Sequence, residues 1–184
     1  MSEQVRDVDQ LDVQASRQGD GDAYGRIIQR HQGEIARRMW RFTRNSADHA
    51  ELVQDVFVNA YLSLPGYRNL APFSHWLHKI AVRTGYAYWR RRVKESALAQ
   101  KEYELRLLSQ APAGHDAAQA AELVHHALER LPPRDRLVLT LMCLEGHTLD
   151  EIAQLTGWSL VMVKVQAWRA RAKLKKILDQ EVVK

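Results

Sequence analysis

Lys164, Trp168, Arg169, Arg171, Lys173, Lys175 and Lys176 follow one another with no acid among them until Asp179. The chemistry open to such a run is electrostatic. Ammonium and guanidinium groups displace counterions from phosphates, and an indole packs against bases and sugars. At about 100° per residue, Leu160, Val163, Ala167, Ala170, Leu174, Ile177 and Leu178 fall on one arc of a helix and the cations on the rest. Val161, Met162 and Val165 share the outward arc, where thymine methyls would cover them. A merely solvated helix surface usually mixes charge signs, so a polyanion-binding face accounts for this pattern better.

A second group interleaves Phe73, Trp76, Tyr86, Tyr88 and Trp89 with Lys79, Arg83, Arg90, Arg91, Arg92 and Lys94. Single-stranded DNA needs π faces for its bases and cations for its backbone. The competing reading puts these aromatics in a core, and Phe73, Trp76 and Leu77 fit it in part. The preceding segment offers Gly66 for backbone freedom, Tyr67 as a stacking face and Asn69 as donor and acceptor for a base edge. A plain connector is the alternative at that length. A third group, Glu51, Gln54, Asp55, Val58 and Leu62, places two acids and two aliphatics on one helix side of a basic chain. That combination suits a basic, partly apolar protein partner, although scattered surface aliphatics are also ordinary.

These groups require helices to hold them. Thr148 with Glu151 spells a capping box, Ile152, Ala153 and Leu155 an apolar stripe, Gly157 a tight turn, and Ser159 the cap of the basic helix. The arrangement is a helix-turn-helix. Upstream, Asp22 is expected to cap a helix carrying Tyr24, Ile27, Ile28, His31, Ile35, Met39 and Phe42. A second helix is expected from about Asp48 to Leu64, with Pro65-Gly66 ending it, and a third from Pro72 to about Lys94. Residues 1–19 are polar and acid-leaning and read as a flexible tail. Residues 20–95 form one domain, 96–116 a linker broken at Pro112-Ala113-Gly114, and 117–180 a second domain. The expected class is all-α, two small helical domains on a tether.

The chain has 184 residues, a net charge of +5 and one cysteine. Its apolar content supports real cores. Cys143 lies in the apolar run Leu137–Leu144 and is expected to pack. No disulfide framework is available, no apolar run spans a bilayer and no signal peptide opens the chain, so a cytoplasmic location without membrane insertion is expected.

The order of these motifs resembles the extracytoplasmic-function (ECF) sigma factors of bacterial RNA polymerase. LVQDVFVNAY resembles their core-polymerase-binding region, and FSHWLHKIAVRTGYAYWRRR the helix that opens and reads the minus-ten element. LERLPPRDRLVLTLMCLEGHTLDEIAQLTG with SLVMVKVQAWRARAKL resembles the domain that reads the minus-thirty-five element. The resemblance implies a region 2 bundle and a region 4 helix-turn-helix domain. It places Gln54, Asp55 and Val58, with Glu51 and Leu62 beside them, on the polymerase. It gives the loop Tyr67–Ser74 the capture of a flipped base, and His78, Lys79 and Arg83, with Phe73, Trp76, Arg90 and Arg91, the adjacent strand. It gives Lys164, Val165, Trp168 and Arg169, with Ser159, Arg171 and Lys173, the upstream duplex. The family often has Asn where this chain has Arg83, and Ser-Arg where it has Val165-Gln166, so no promoter sequence is implied. Implied partners are core RNA polymerase, promoter DNA and an anti-sigma factor, in a stress or signal response.

An autonomous helix-turn-helix regulator with an N-terminal dimerisation domain would leave Glu51–Leu62 and the aromatic helix without a role. No catalytic constellation stands out, and no enzyme activity, cofactor or metal is expected. His75 and His78 lie i, i+3, and His125 and His126 are adjacent, but the first pair lacks a nearby carboxylate or thiolate ligand.

Overall fold

Side-chain oxygens and glycines mark where this chain starts and stops its helices. The computed structural model describes residues 3–103 and 127–182, with side chains for 8–95 and 127–180. The helices are α1 (Glu3–Arg17), α2 (Gly21–Met39), α3 (Ser46–Ser63), α4 (Phe73–Tyr103), α5 (Pro133–Leu139), α6 (Leu149–Thr156) and α7 (Leu160–Val182). A 3₁₀ turn, Leu64–Gly66, follows α3, and a π-helical turn, Thr140–Leu144, follows α5. Among the described residues there is no strand, so the all-α class holds. Two compact units divide within α4, one ending at Tyr88 and the other starting at Trp89.

In the first unit α1 packs on α2 and α2 on α3. Ile27, Met39, Phe42, Leu52, Val56, Leu64, Leu77 and Val82 are its largest fully buried side chains. The expected flexible tail is instead a helix. Two of its acids are not solvated: Asp9 and Asp12 are buried. Arg26 and Arg30 stand 2.6 Å from the Asp12 carboxylate, and Arg30 and His31 within 3.0 Å of Asp9. Gly19, at φ 96°, closes α1, and Asp20 rather than Asp22 caps α2 by accepting from the Ala23 N–H at 3.0 Å. Asn45 caps α3 by accepting from the Ala47 and Asp48 N–H groups. That moves the start of α3 ahead of the expected Asp48.

Helix α4 runs past Lys94 into the segment expected to be linker. The rest of that linker, the opening of the second expected domain and His125-His126 lie outside the described residues. In the second unit Leu128, Leu131, Leu139 and Ala170 form a buried cluster, with Met142, Leu144, Leu174 and Ile177 packed against it. Cys143 is exposed rather than packed. The π turn, in which the Glu145 N–H reaches Thr140 O at 3.2 Å, breaks the α period and rotates that position outward.

Candidate nucleic-acid interface

The helix-turn-helix is built by short-range contacts. The Glu151 N–H donates to Thr148 Oγ1 at 3.2 Å, and the Thr148 N–H donates back to Glu151 Oε2 at 2.8 Å. The hydrogen bond from the Thr148 backbone, then that from its hydroxyl, holds the Glu151 carboxyl below the ordinary glutamate value. Gly157 takes φ 78° and donates to Ala153 O at 2.9 Å, closing α6. Ser159 Oγ accepts from the Met162 N–H at 3.3 Å and starts α7. Val163, Ala167 and Ala170 of α7 are buried. On its other side Val161 and Trp168 are each 72% exposed, Val165 is exposed too, and Lys164 and Arg169 flank them. A face of indole, two valines and cations with no acid is fit to enter a major groove and hold phosphates.

Two expected contacts on α7 have other partners. Lys173 Nζ lies 2.6 Å from Asp135 Oδ2, and Gln166 Nε2 donates to the same carboxylate from about two helix turns away. Asp135 is 1% exposed, so these bonds satisfy a buried charge of α5. Arg171 is exposed, with Nη2 3.2 Å from Met142 Sδ.

Along α4 and the loop before it the aromatics expected to stack on bases turn mostly inward. Phe73, Tyr88 and Trp89 are buried, while Trp76 and Tyr86 are half-buried. Tyr88 donates to Asp48 Oδ2 at 2.8 Å. Tyr67 is also buried, its ring against Phe73 and Trp76 at centroid distances of 5.6 and 5.1 Å. Its hydroxyl lies 2.7 Å from Ala71 O and 3.1 Å from Asn69 Oδ1, so Tyr67 props the loop from within and is not an open stacking face. Burial is the reason: an aromatic run beside a small bundle contributes more by filling the core than by facing water. His78 is buried as well, with Arg38 donating to its Nε2 at 2.7 Å. What remains at the surface is cationic and polar: Arg83, Arg90 and Arg91 exposed, Lys79 half-exposed, and Asn69 exposed at φ 55°.

The acidic–aliphatic face of α3 borders a groove of about 540 Å³ between α2 and α3. Tyr24, Ile28, Phe57, Val58, Tyr61 and Leu62 line it. Val58 is 48% and Leu62 70% exposed. Gln54 also lines the groove, and Glu51 is exposed and Asp55 half-exposed on the same helix. Tyr61 is exposed with its ring edge-on to Tyr24 at 4.9 Å. Burial raises the Tyr24 hydroxyl to a pKa of about 12, and that hydroxyl donates to Phe57 O at 2.5 Å. The groove wall is thus largely apolar and aromatic, with Glu51 and Asp55 on the same helix.

Residues of α1 were not singled out by their types. A usable signal was present: Asp9 and Asp12 at i, i+3 match Arg26 and Arg30 at i, i+4, the spacing of two helix faces that pair.

Comparison with known proteins finds two family matches, "Sigma-70 region 2" over residues 27–95 and "Sigma-70, region 4" over 121–174. The ECF RNA polymerase sigma-E factor of Escherichia coli K12 is 30% identical over 181 residues, covering 93% of each chain. The sigma-E factor of Haemophilus influenzae is 29% identical over 93% of this chain and 94% of its own. Among solved structures, CnrH in complex with the cytosolic domain of CnrY matches at a TM-score of 0.58 and 26% identity, over 94% of this chain and 98% of that one. The fold is also shared with the sigma factor RpoE from Bartonella quintana, solved with the anti-sigma factor NepR, at a TM-score of 0.57 and 18% identity over 85% of this chain and 96% of that one.

Proposed function

This chain belongs to the ECF-type RNA polymerase sigma factors, and on that premise we propose how its two units divide promoter recognition and who controls it. It is an alternative sigma factor that joins core RNA polymerase and directs promoter recognition, opening and transcription initiation. Residues 20–95 act as region 2, 117–180 as region 4, and 96–116 as the link between them. The observation that carries this reading is the acid-free face of α7, with Trp168 and Val161 uncovered, in a chain that also presents the largely apolar groove between α2 and α3. A stand-alone duplex binder has use for the first and none for the second.

Glu51, Gln54, Asp55, Val58 and Leu62 dock the polymerase. Lys164, Val165, Trp168 and Arg169 contact the upstream duplex, with Ser159 and Arg171 at its edges. Asn69, Lys79, Arg83, Arg90 and Arg91 track the opened minus-ten strand. Unpairing costs a few kcal/mol per base and is offset by contacts to the unstacked base and its backbone. The chain contributes binding and positioning, not bond chemistry. An anti-sigma protein that covers the α2–α3 groove would exclude polymerase; the Bartonella quintana sigma factor was solved with an anti-sigma factor, and such control would serve a stress or signal response.

Reconstitution tests the proposal. The chain with core polymerase should select and transcribe a discrete set of promoters from host genomic fragments, and the chain alone should select none. Tight, polymerase-independent binding to the same fragments would instead make it an autonomous regulator.

A further inference from the structure

We propose that α1 is a working part of the base-reading apparatus: the cleft between α1 and the loop after Gly66 holds one unstacked promoter base, with Gln10 against its edge and Arg17 positioning the loop. This rests on the reading above that the loop meets melted DNA.

Arg17 sits in the last turn of α1 and reaches across to the far end of α3. Its Nε and Nη2 donate to Leu64 O at 3.0 and 2.8 Å, and Nη2 also donates to Pro65 O at 3.2 Å and to Tyr67 O. These carbonyls converge at the 3₁₀ turn Leu64–Gly66, where Leu64 O also accepts the Tyr67 N–H at 3.1 Å and keeps a second lone pair for a side-chain donor. A cation is favoured at that end of α3, and only a planar guanidinium forks over several acceptors at once. Arg17 thereby sets the path on which the backbone enters residues 68–71. The position of α1 does not depend on the loop, because Asp9 and Asp12 bind it to Arg26, Arg30 and His31 of α2.

A cleft of about 210 Å³ lies where α1 faces the loop, with Gln10 on one side and Tyr67, Asn69, Leu70 and Pro72 among the residues on the other. That volume is below the roughly 300–1,000 Å³ of sites for drug-sized ligands and suits a single base. Its lining suits one too. Leu70 is 88% exposed, an apolar surface that a base face would cover. Gln10 and Asn69 each carry an amide donor and acceptor, the pair that matches a base edge. Tyr67 donates to Asn69 Oδ1 at 3.1 Å and so orients that amide.

The experiment is promoter selection by holoenzyme from a randomised minus-ten library. It uses the parent chain, Gln10→Ala, Arg17→Lys and a chain whose Tyr67–Ala71 loop is exchanged for that of another ECF factor. Each chain is first titrated against core polymerase. Gln10→Ala should lower discrimination at a single minus-ten position by roughly tenfold at unchanged polymerase affinity. Arg17→Lys should blur the same position and slow opening of duplex promoters, but not initiation from a template already melted there. Parental preference in Gln10→Ala, with altered preference in the loop exchange, would overturn the role of α1 and leave the reading of the loop standing. Parental preference in both would overturn the reading of the loop as well. Should Arg17→Lys fail to fold, Gln10→Ala decides alone, because Gln10 is exposed on α1.

Discussion

Lys173 Nζ stands 2.6 Å from Asp135 Oδ2, joining the middle of the recognition helix to the first turn of α5. The lysine is half exposed, while the carboxylate it meets is almost wholly buried. Removing the cation would strand that carboxylate in a low-dielectric setting with Gln166 as the donor left on α7. Lys173 therefore acts first on the fold of its unit, and Arg169, exposed on the same helix, acts on DNA.

Lys173→Ala is accordingly expected to lower stability by about 1–3 kcal/mol and to leave the salt dependence of upstream-duplex binding unchanged. Arg169→Ala is expected to do the reverse. It should melt like the parent while the slope of log K against log salt falls by about 0.9 in magnitude, one phosphate contact's share. Thermal melting, with fluorescence anisotropy across a salt series in holoenzyme, reads both. A parental slope in Arg169→Ala would remove that residue from the interface.

Polymerase docking is expected to depend on α3. Asp55→Lys should weaken association with core polymerase by roughly 1–2 kcal/mol, and Leu62→Asp should weaken it similarly, since Leu62 is 70% exposed beside the groove. Circular dichroism should show parental helicity, because neither side chain belongs to the buried core. Parental affinity in both variants would move the docking face off this helix.

Gly85 is held by close approach. A Cβ there would overlap the side chain of Phe42, a ring 2% exposed that has nowhere to retreat. Gly85→Ala is expected to destabilise the first unit by about 1–3 kcal/mol, although alanine is the better helix former by about 1 kcal/mol. Urea denaturation measures the loss, and Phe42→Leu in the same chain should recover part of it. A stabilised Gly85→Ala would show that the helices separate freely at this point.

Acid should act through Asp12. Burial by itself would raise its carboxyl, but hydrogen bonds from Arg26 and Arg30 and their charges outweigh burial and hold it below the ordinary value of 3.8. Because the folded value is the lower one, the stabilisation is complete above the unfolded value and is lost as pH falls through the folded one. Asp12→Asn should therefore be less stable than the parent at neutral pH and approach it below the unfolded value of about 3.9. Equal pH profiles for the two chains would exclude this pair as the source of acid sensitivity.

What the sequence determined by itself is what acts over a single helical turn. The Thr148–Glu151 capping box, the turn at Gly157, the cap at Ser159 and the split of α7 into packed and cationic arcs each depend on residues within four positions, and each is present in the structure. The motif order across the chain was legible for the same reason, being a string of such local signals. Tertiary structure decided which amphipathic side chains are covered, because that depends on elements far away in sequence. Asp9 and Asp12 read as tail acids until α2 supplies Arg26, Arg30 and His31. Tyr67 reads as a stacking face, and Phe73 as a stacking face or core, until the loop folds them against Trp76. Lys173 looks like a phosphate contact until Asp135 arrives from a segment 38 residues earlier. A side chain's type fixes the interactions it can make, and only the packing of distant helices selects which of them is made.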